Sequence, residues 1–169
     1  MKNAEYIKTI IIDDMGLAKP AQVGVDITLN KVSEIVGGGF VMQDPYKTKH
    51  GKYEEVKTVQ AERPDGSFAE EVFMLTPGVY SIEFDQGLKP LSKNDTAIIY
   101  NRSSLGRNGV LIRSSIYDPG FETPKMGAVM YVFAPVSIER HSRVAQIVIH
   151  ENEDAELYEG QYIGEKDFR

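Results

Sequence analysis

The chain has 169 residues, 41% of them hydrophobic, with no cysteine and a formal net charge of −6. That length and apolar share suit a single domain over residues 1–169 with a buried core, and the missing cysteines exclude disulfides, thiolate nucleophiles and the usual structural zinc sites. The acidic balance disfavours a broad nucleic-acid face, no run reaches the roughly 18 apolar residues of a membrane span, and the first six residues do not resemble a signal peptide.

The expected setting is therefore the cytoplasm, with no nucleic-acid or membrane partner. Along the chain, residues 4–15 read as a short N-terminal helix, weakened by the β-branched "TIII". In "VGVDITL" (23–29), Val23, Val25, Ile27 and Leu29 share one face, and Gly24, Asp26 and Thr28 the other, the period of a half-buried strand. Two polar, turn-rich inserts follow, 43–52 and 60–67, the second holding "RPDGS"; both read as surface loops or a hairpin. "VFMLTPGVYSIEF" (72–84) is strand, turn, strand, because proline presets the turn and glycine tolerates the positive φ it can require. "TAIIYN" (96–101), "GVLIR" (109–113), "AVMYVFAPVSI" (128–138, interrupted at Pro135) and "RVAQIVIH" (143–150) add strands. The pattern implies a mostly β protein, sandwich or barrel. His50, His141 and His150 are each alone in sequence and read as surface or packing residues.

The stretch "YNRSSLGRNGV" (100–110) sits between two of these strands. A short helical turn over 103–107 would leave its first amides without intrahelical partners, with Ser103 or Ser104 able to cap and Arg102 and Arg107 beside it. Guanidinium groups grip phosphate oxygens through paired hydrogen bonds, so the arrangement suits a phosphate, the alternative being a capped surface helix with two solvated arginines. Further on, "YDPGF" (117–121) places Asp118 at a strand end before a Pro-Gly turn, where a carboxylate can hold a water or metal, and Phe121 where a ring can stack on a base or sugar. Taken alone, Asp118 is equally a turn aspartate and Phe121 a core aromatic.

In order, these segments resemble the dCTP deaminase and trimeric dUTPase superfamily. "AQVGVDITL" (21–29) looks like its early motif, with Asp26; "FMLTPGVYSIEF" and "LKPLSKNDTAIIYNRSSLGRNGV" look like the deaminase-branch run into the phosphate motif. "DPGF" resembles the site aspartate and its aromatic neighbour, "SRVAQIVI" (142–149) the late strand motif with Gln146, and "YEGQY" (158–162) the tail that closes over nucleotide. The resemblance implies a distorted jelly-roll β-barrel of the dUTPase-like type, with a short N-terminal helix and one short helix after the phosphate motif. It also implies a homotrimer with sites between subunits, binding a deoxynucleoside triphosphate, dUTP or dCTP, with Mg²⁺ held through the triphosphate. By the same resemblance Asp118 is catalytic, and Arg102, Ser103, Ser104, Arg107, Phe121, Gln146, Tyr158, Tyr162 and Lys166 bind substrate, with 155–169 as the lid segment.

Deaminases of this superfamily carry a glutamate on the strand after "DPGF". The matching position here is Ala128 without a gap, or Tyr131 by strand pattern, and neither is an acid; Glu122 is the nearby carboxylate that could substitute. The segment "VLIRSSIY" is also shorter than in either branch. Hydrolysis of dUTP to dUMP and pyrophosphate needs no missing residue and is the expected activity. The alternatives are a dCTP deaminase, with or without dUTPase activity, and a catalytically silent nucleotide-binding regulatory trimer.

Overall fold

The structure, a computed structural model, describes residues 1–153 and 155–160. Helix α1 (Ala4–Ile10) begins where the Asn3 side chain accepts a hydrogen bond from the Tyr6 amide at 2.9 Å. It ends at Ile10, short of the expected residue 15. Ile11 turns extended and, with Ile12, forms β1 (Ile11–Ile12), so the β-branched run that weakened the helix is used as strand.

After β2 (Lys19–Pro20) come β3 (Val25–Gly37), β4 (Lys52–Glu55), β5 (Val59–Glu62), β6 (Phe68–Leu75), β7 (Gly78–Phe84), β8 (Gly87–Leu88) and β9 (Asp95–Asn101). Helix α2 (Ser103–Gly106) precedes β10 (Val110–Arg113), β11 (Gly127–Val132), β12 (Val136–Glu139) and β13 (Arg143–Glu151). The main sheet has the order β10-β11-β7-β3-β13-β9, with β2 and β4 also paired to β3, and β12-β6-β5 forms a three-stranded sheet. This is the mostly β, nearly closed, distorted jelly-roll barrel of the sequence expectation, with its two short helices.

The long strand β3 joins the halves. Its start pairs with β13 and its later part with β7, with a register shift between Leu29 and Lys31 where it changes direction. It is not half-buried as the alternation suggested: Val25, Ile27 and Leu29 lie in the core, and Asp26 and Thr28 are buried on the opposite face. Val23, expected on the apolar face, precedes the strand and is exposed.

Two prolines mark the corners. Pro77 separates β6 from β7, and Pro135 lies between β11 and β12; β7 pairs with β11 in the main sheet while β6 pairs with β12 in the small one. One antiparallel ribbon thus folds over at both prolines, which cannot donate to a ladder. Gly78 is not among the glycines with positive φ, contrary to the turn expectation; Gly66, Gly109 and Gly120 are.

The 60–67 insert is the turn of a β5–β6 hairpin, closed by the Arg63 amide to the Ser67 carbonyl at 2.6 Å. The 43–52 insert belongs to an exposed arm beyond β3, where Phe40 and Lys49 pair and where a Cβ on Gly51 would meet the Gly37 carbonyl oxygen at 2.7 Å. Of the histidines, His141 holds φ 64° and its Nδ1 lies 2.9 Å from buried Asp85, while His150 is half-buried on β13.

The barrel closes between β9 and β10 without a ladder. Instead Asn101 Oδ1 accepts the Ile112 amide at 3.1 Å, Asn101 Nδ2 donates to the Val110 carbonyl at 3.3 Å, and Ser114 Oγ accepts the Ile99 amide at 3.1 Å. Further along, the Ala97–Tyr117 bridge completes the seam.

Packing at Gly87 gives a direct test of this frame. A Cβ there would lie 2.2 Å from the Pro124 carbonyl oxygen, so backbone has to move. Gly87→Ala is expected to cost about 1–3 kcal/mol, as overpacking does, and to lower Tm by roughly 3 °C or more for a domain of this size; an unchanged melting curve would contradict the tight crossing.

Candidate functional site

A buried carboxylate organises one end of the barrel. Asp26 is 5% exposed, and charge buried to that degree requires paired partners. Its Oδ2 lies 3.4 Å from Arg102 Nε and accepts a hydrogen bond from Arg143 Nη1 at 3.2 Å. Arg102 Nη1 also donates to the Arg143 carbonyl at 3.1 Å, and the Arg102 amide to the Val144 carbonyl at 3.2 Å. Two guanidiniums are thereby fixed side by side, each partly open to solvent. Gln146 is opposite Asp26 in the β3–β13 register, half-buried on the same rim.

The phosphate-motif residues continue from Arg102. Ser103 and Ser104 are exposed on the first turn of α2, but neither caps it: the N-cap position is Arg102, with no side-chain cap bond. The serine-capping expectation is corrected by one residue of register, because the backbone of Arg102 is held to β13 and the helix can begin only after it. Ser103 and Ser104 carbonyls instead accept the Arg107 amide and the Asn108 side chain. Arg107 is exposed at the far end of the helix. Arg102, Ser103, Ser104, Arg107 and Gln146 are therefore gathered at one end, with Asp26 and Arg143.

Asp118, Phe121 and Tyr158 form a separate group. The "DPGF" turn closes through the Phe121 amide to the Asp118 carbonyl at 3.0 Å, and Gly120 takes φ +83°. Asp118 is exposed and lines a cavity of about 680 Å³ with Thr96, Ile116, Glu156, Leu157 and Tyr158. Phe121 is 9% exposed, its ring 5.1 Å from that of Tyr117 and 5.5 Å from that of Tyr158, and the Tyr158 amide donates to the Pro119 carbonyl at 2.6 Å. Tyr158 thus packs over the "DPGF" turn. Gln161, Tyr162 and Lys166 lie outside the described residues.

Within one chain the groups are apart. Tyr117 is bridged to Ala97 near the start of β9, and Arg102 follows its end. Five strand residues at ~3.3 Å each separate these levels by about 17 Å. The Arg102 guanidinium turns toward β13 and β3, whereas Asp118 flanks β9 on its other edge.

Neither deaminase position supplies an acid. Ala128 is buried opposite Ile82, and Tyr131 sits on the outer face between Leu111 and Val79, stacked on Phe133. Glu122 is exposed. Arg143 was not singled out from the sequence. The signal that could have found it is the aspartate of "VGVDITL", which must find cations once both strand faces are covered.

Fold and site together define a β-barrel domain with an arginine-lined rim and a separate carboxylate-bearing cavity. The chain belongs to the dCTP deaminase-like family, whose model matches residues 2–152. It is 33% identical over 144 residues to the deoxyuridine 5'-triphosphate nucleotidohydrolase of Methanocaldococcus jannaschii, covering 85% of this chain and 86% of that protein. To a protein of Methanopyrus kandleri named "Probable deoxyuridine 5'-triphosphate nucleotidohydrolase" it is 32% identical over 161 residues, 94% of this chain and 96% of the other. In fold it is similar to the 2'-deoxycytidine 5'-triphosphate deaminase of Agrobacterium tumefaciens, with a TM-score of 0.58 at 15% identity over 85% of this chain. The chain spans 44% of the length of that deaminase chain.

Beside Asp118, the buried Tyr117 hydroxyl donates to the Gly127 carbonyl at 2.6 Å and accepts its amide at 3.1 Å. Burial pushes this phenol well above its ordinary value. The folded state then binds the proton more tightly than the unfolded one, so this contribution is intact below the ordinary phenol value of about 10 and is lost as pH rises above it. Urea midpoints of the wild type are expected to fall more steeply above about pH 10 than those of Tyr117→Phe; parallel curves would remove Tyr117 as the cause.

Proposed function

We propose that this protein is a dUTP diphosphatase, converting dUTP to dUMP and pyrophosphate. The observation that carries the reading is the combination of an intact arginine rim with the absence of an acid at both deaminase positions, Ala128 and Tyr131. The rim can neutralise a triphosphate, and the chemistry that then needs only one carboxylate is hydrolysis. The names of the archaeal relatives point the same way.

In this mechanism Asp118 accepts a proton from a water whose oxygen attacks the α-phosphorus. The bond from the α-phosphorus to the oxygen bridging to the β-phosphorus breaks, and the electron pair leaves with pyrophosphate. Arg102, Ser103, Ser104, Arg107 and Gln146, with Arg143, bind and orient the phosphates, and their fixed geometry requires little reorganisation as charge develops. Among the described residues no group of three or more His, Asp or Glu side chains forms a metal cage. An Mg²⁺ ion carried on the triphosphate would supply further charge neutralisation. Phe121 and Tyr158 form the apolar wall beside Asp118, and Tyr162 and Lys166 are assigned with Tyr158 to the closing segment 155–169.

The site is completed between copies, in a homotrimer. What supports this is the separation of Asp118 from the rim along β9, together with the exposed apolar row Val79, Tyr131 and Leu111 across β7, β11 and β10, a surface suited to burial against another subunit.

The direct test is pure protein with Mg²⁺ and either dUTP or dCTP, assaying pyrophosphate and ammonia. Pyrophosphate from dUTP is expected, without ammonia from dCTP, and Asp118→Asn should abolish turnover while nucleotide still binds. Ammonia from dCTP would replace this reading with deamination through another acid such as Glu122, and binding without turnover would indicate a regulatory trimer. A second test addresses assembly: inactive Asp118→Asn and inactive Arg102→Ala subunits, mixed and reassembled, should regain part of the activity. No recovery in verified mixed oligomers would argue that each site lies within one chain.

A further inference from the structure

We infer that Asn101 is a positioning residue for the phosphate rim, the side chain that sets where Arg102 stands; this rests on the dUTP hydrolysis proposed above. Asn101 is the last residue of β9 and is half-buried. Its amide nitrogen donates to the Arg102 carbonyl at 3.0 Å and to the Val110 carbonyl at 3.3 Å, and its oxygen accepts the Ile112 amide at 3.1 Å. Three backbone groups on both flanks of the 102–109 segment are thus tied to one side chain.

The location makes this more than a local turn bond. Among the described residues β9 and β10 share no backbone ladder, and besides Asn101 the seam is tied by Ser114 Oγ accepting the Ile99 amide further along. On its other side β9 is firmly paired: Asn101 is opposite Ala145 on β13, and the Arg102 amide reaches the Val144 carbonyl. Asn101 therefore transmits the register of β9 and β13 to the segment bearing Ser103, Ser104 and Arg107, and holds the Arg102 peptide from which the guanidinium reaches Asp26.

The chemistry demands an amide. An asparagine offers two donors to the two carbonyls and an acceptor to the Ile112 amide, and no donor or acceptor is mismatched. Aspartate has the same shape and keeps the acceptor, but it sets carboxylate oxygen against two carbonyl oxygens. Serine can reach fewer of the three groups. The role is one of placement, because every hydrogen bond recorded for the Asn101 side chain goes to backbone.

The test compares wild type with Asn101→Ala, Asn101→Ser and Asn101→Asp, each checked for folding by its melting curve. For each, kcat and KM for dUTP are measured, with calorimetric Kd values for inorganic tripolyphosphate and for dUMP in the presence of Mg²⁺. Asn101→Ala is expected to raise KM for dUTP and Kd for tripolyphosphate by about tenfold, the scale of losing charge-assisted phosphate contacts through misplacement. The dUMP affinity and kcat should change far less, and Asn101→Asp should be impaired at least as much as the alanine variant. Equal loss of tripolyphosphate and dUMP affinity would mean a general structural role and overturn the inference, as would failure of all three variants to fold. A wild type that neither binds tripolyphosphate nor hydrolyses dUTP would remove the underlying reading and this inference with it. A fully active wild type beside equally active Asn101 variants would remove only the role of Asn101.

Discussion

The candidate-site end of this molecule depends on β3 pairing with β13 at its start and β7 further on while its 25–29 stretch buries both faces. The core side takes Val25, Ile27 and Leu29; the other side carries Asp26 and Thr28, which are buried and must be satisfied without bulk water, and the half-buried Asn30. Each is. Asp26 holds Arg102 and Arg143, Thr28 donates to Asp85 at 2.6 Å and bonds Gln86 through its amide, and Asn30 bridges Glu83 and Arg140. The polar side of this stretch of β3 thus carries three side-chain clusters.

The first of these clusters doubles as the candidate binding rim. A carboxylate paired with two guanidiniums stabilises the fold only if its geometry is good, since desolvation opposes the attraction. Here the same pairing orients both arginines toward a common patch and leaves part of each guanidinium for a ligand. The other clusters tie β3 to β7 and to the β12–β13 connection, where His141 sits in a left-handed conformation against Asp85. At Asp26 the groups that satisfy the buried carboxylate are also those of the candidate rim, whereas the partners of Thr28 and Asn30 lie outside it.

At the opposite end, the packing of Tyr117, Phe121 and Tyr158 holds the turn that carries Asp118. Phe121 has little open surface, one side of its ring being covered by Tyr158. Ring packing and the Tyr158–Pro119 hydrogen bond thus tie Tyr158 to the turn that carries Asp118.

Much of this was legible in the chain itself. Alternating apolar residues located the strands, Pro77 and Pro135 marked their interruptions, and the order of "VGVDITL", "NRSSLG", "DPGF" and "RVAQIVI" pointed to the family, because these signals depend on local backbone geometry or on residues close in sequence. The end of α1 at Ile10 was only hinted at by the β-branched run, since where that run leaves the helix is set by its pairing with β8. Nor was the burial of the polar face of β3, which depends on what packs against it, or the pairing of Arg143 with Asp26 across 117 residues. Sequence alone determined which side chains are available for phosphate and water chemistry. Only the tertiary structure decided that Arg102 and Asp118 stand at different levels of β9, and that Asn101 closes the seam between them, because strand pairing, not proximity along the chain, sets those distances.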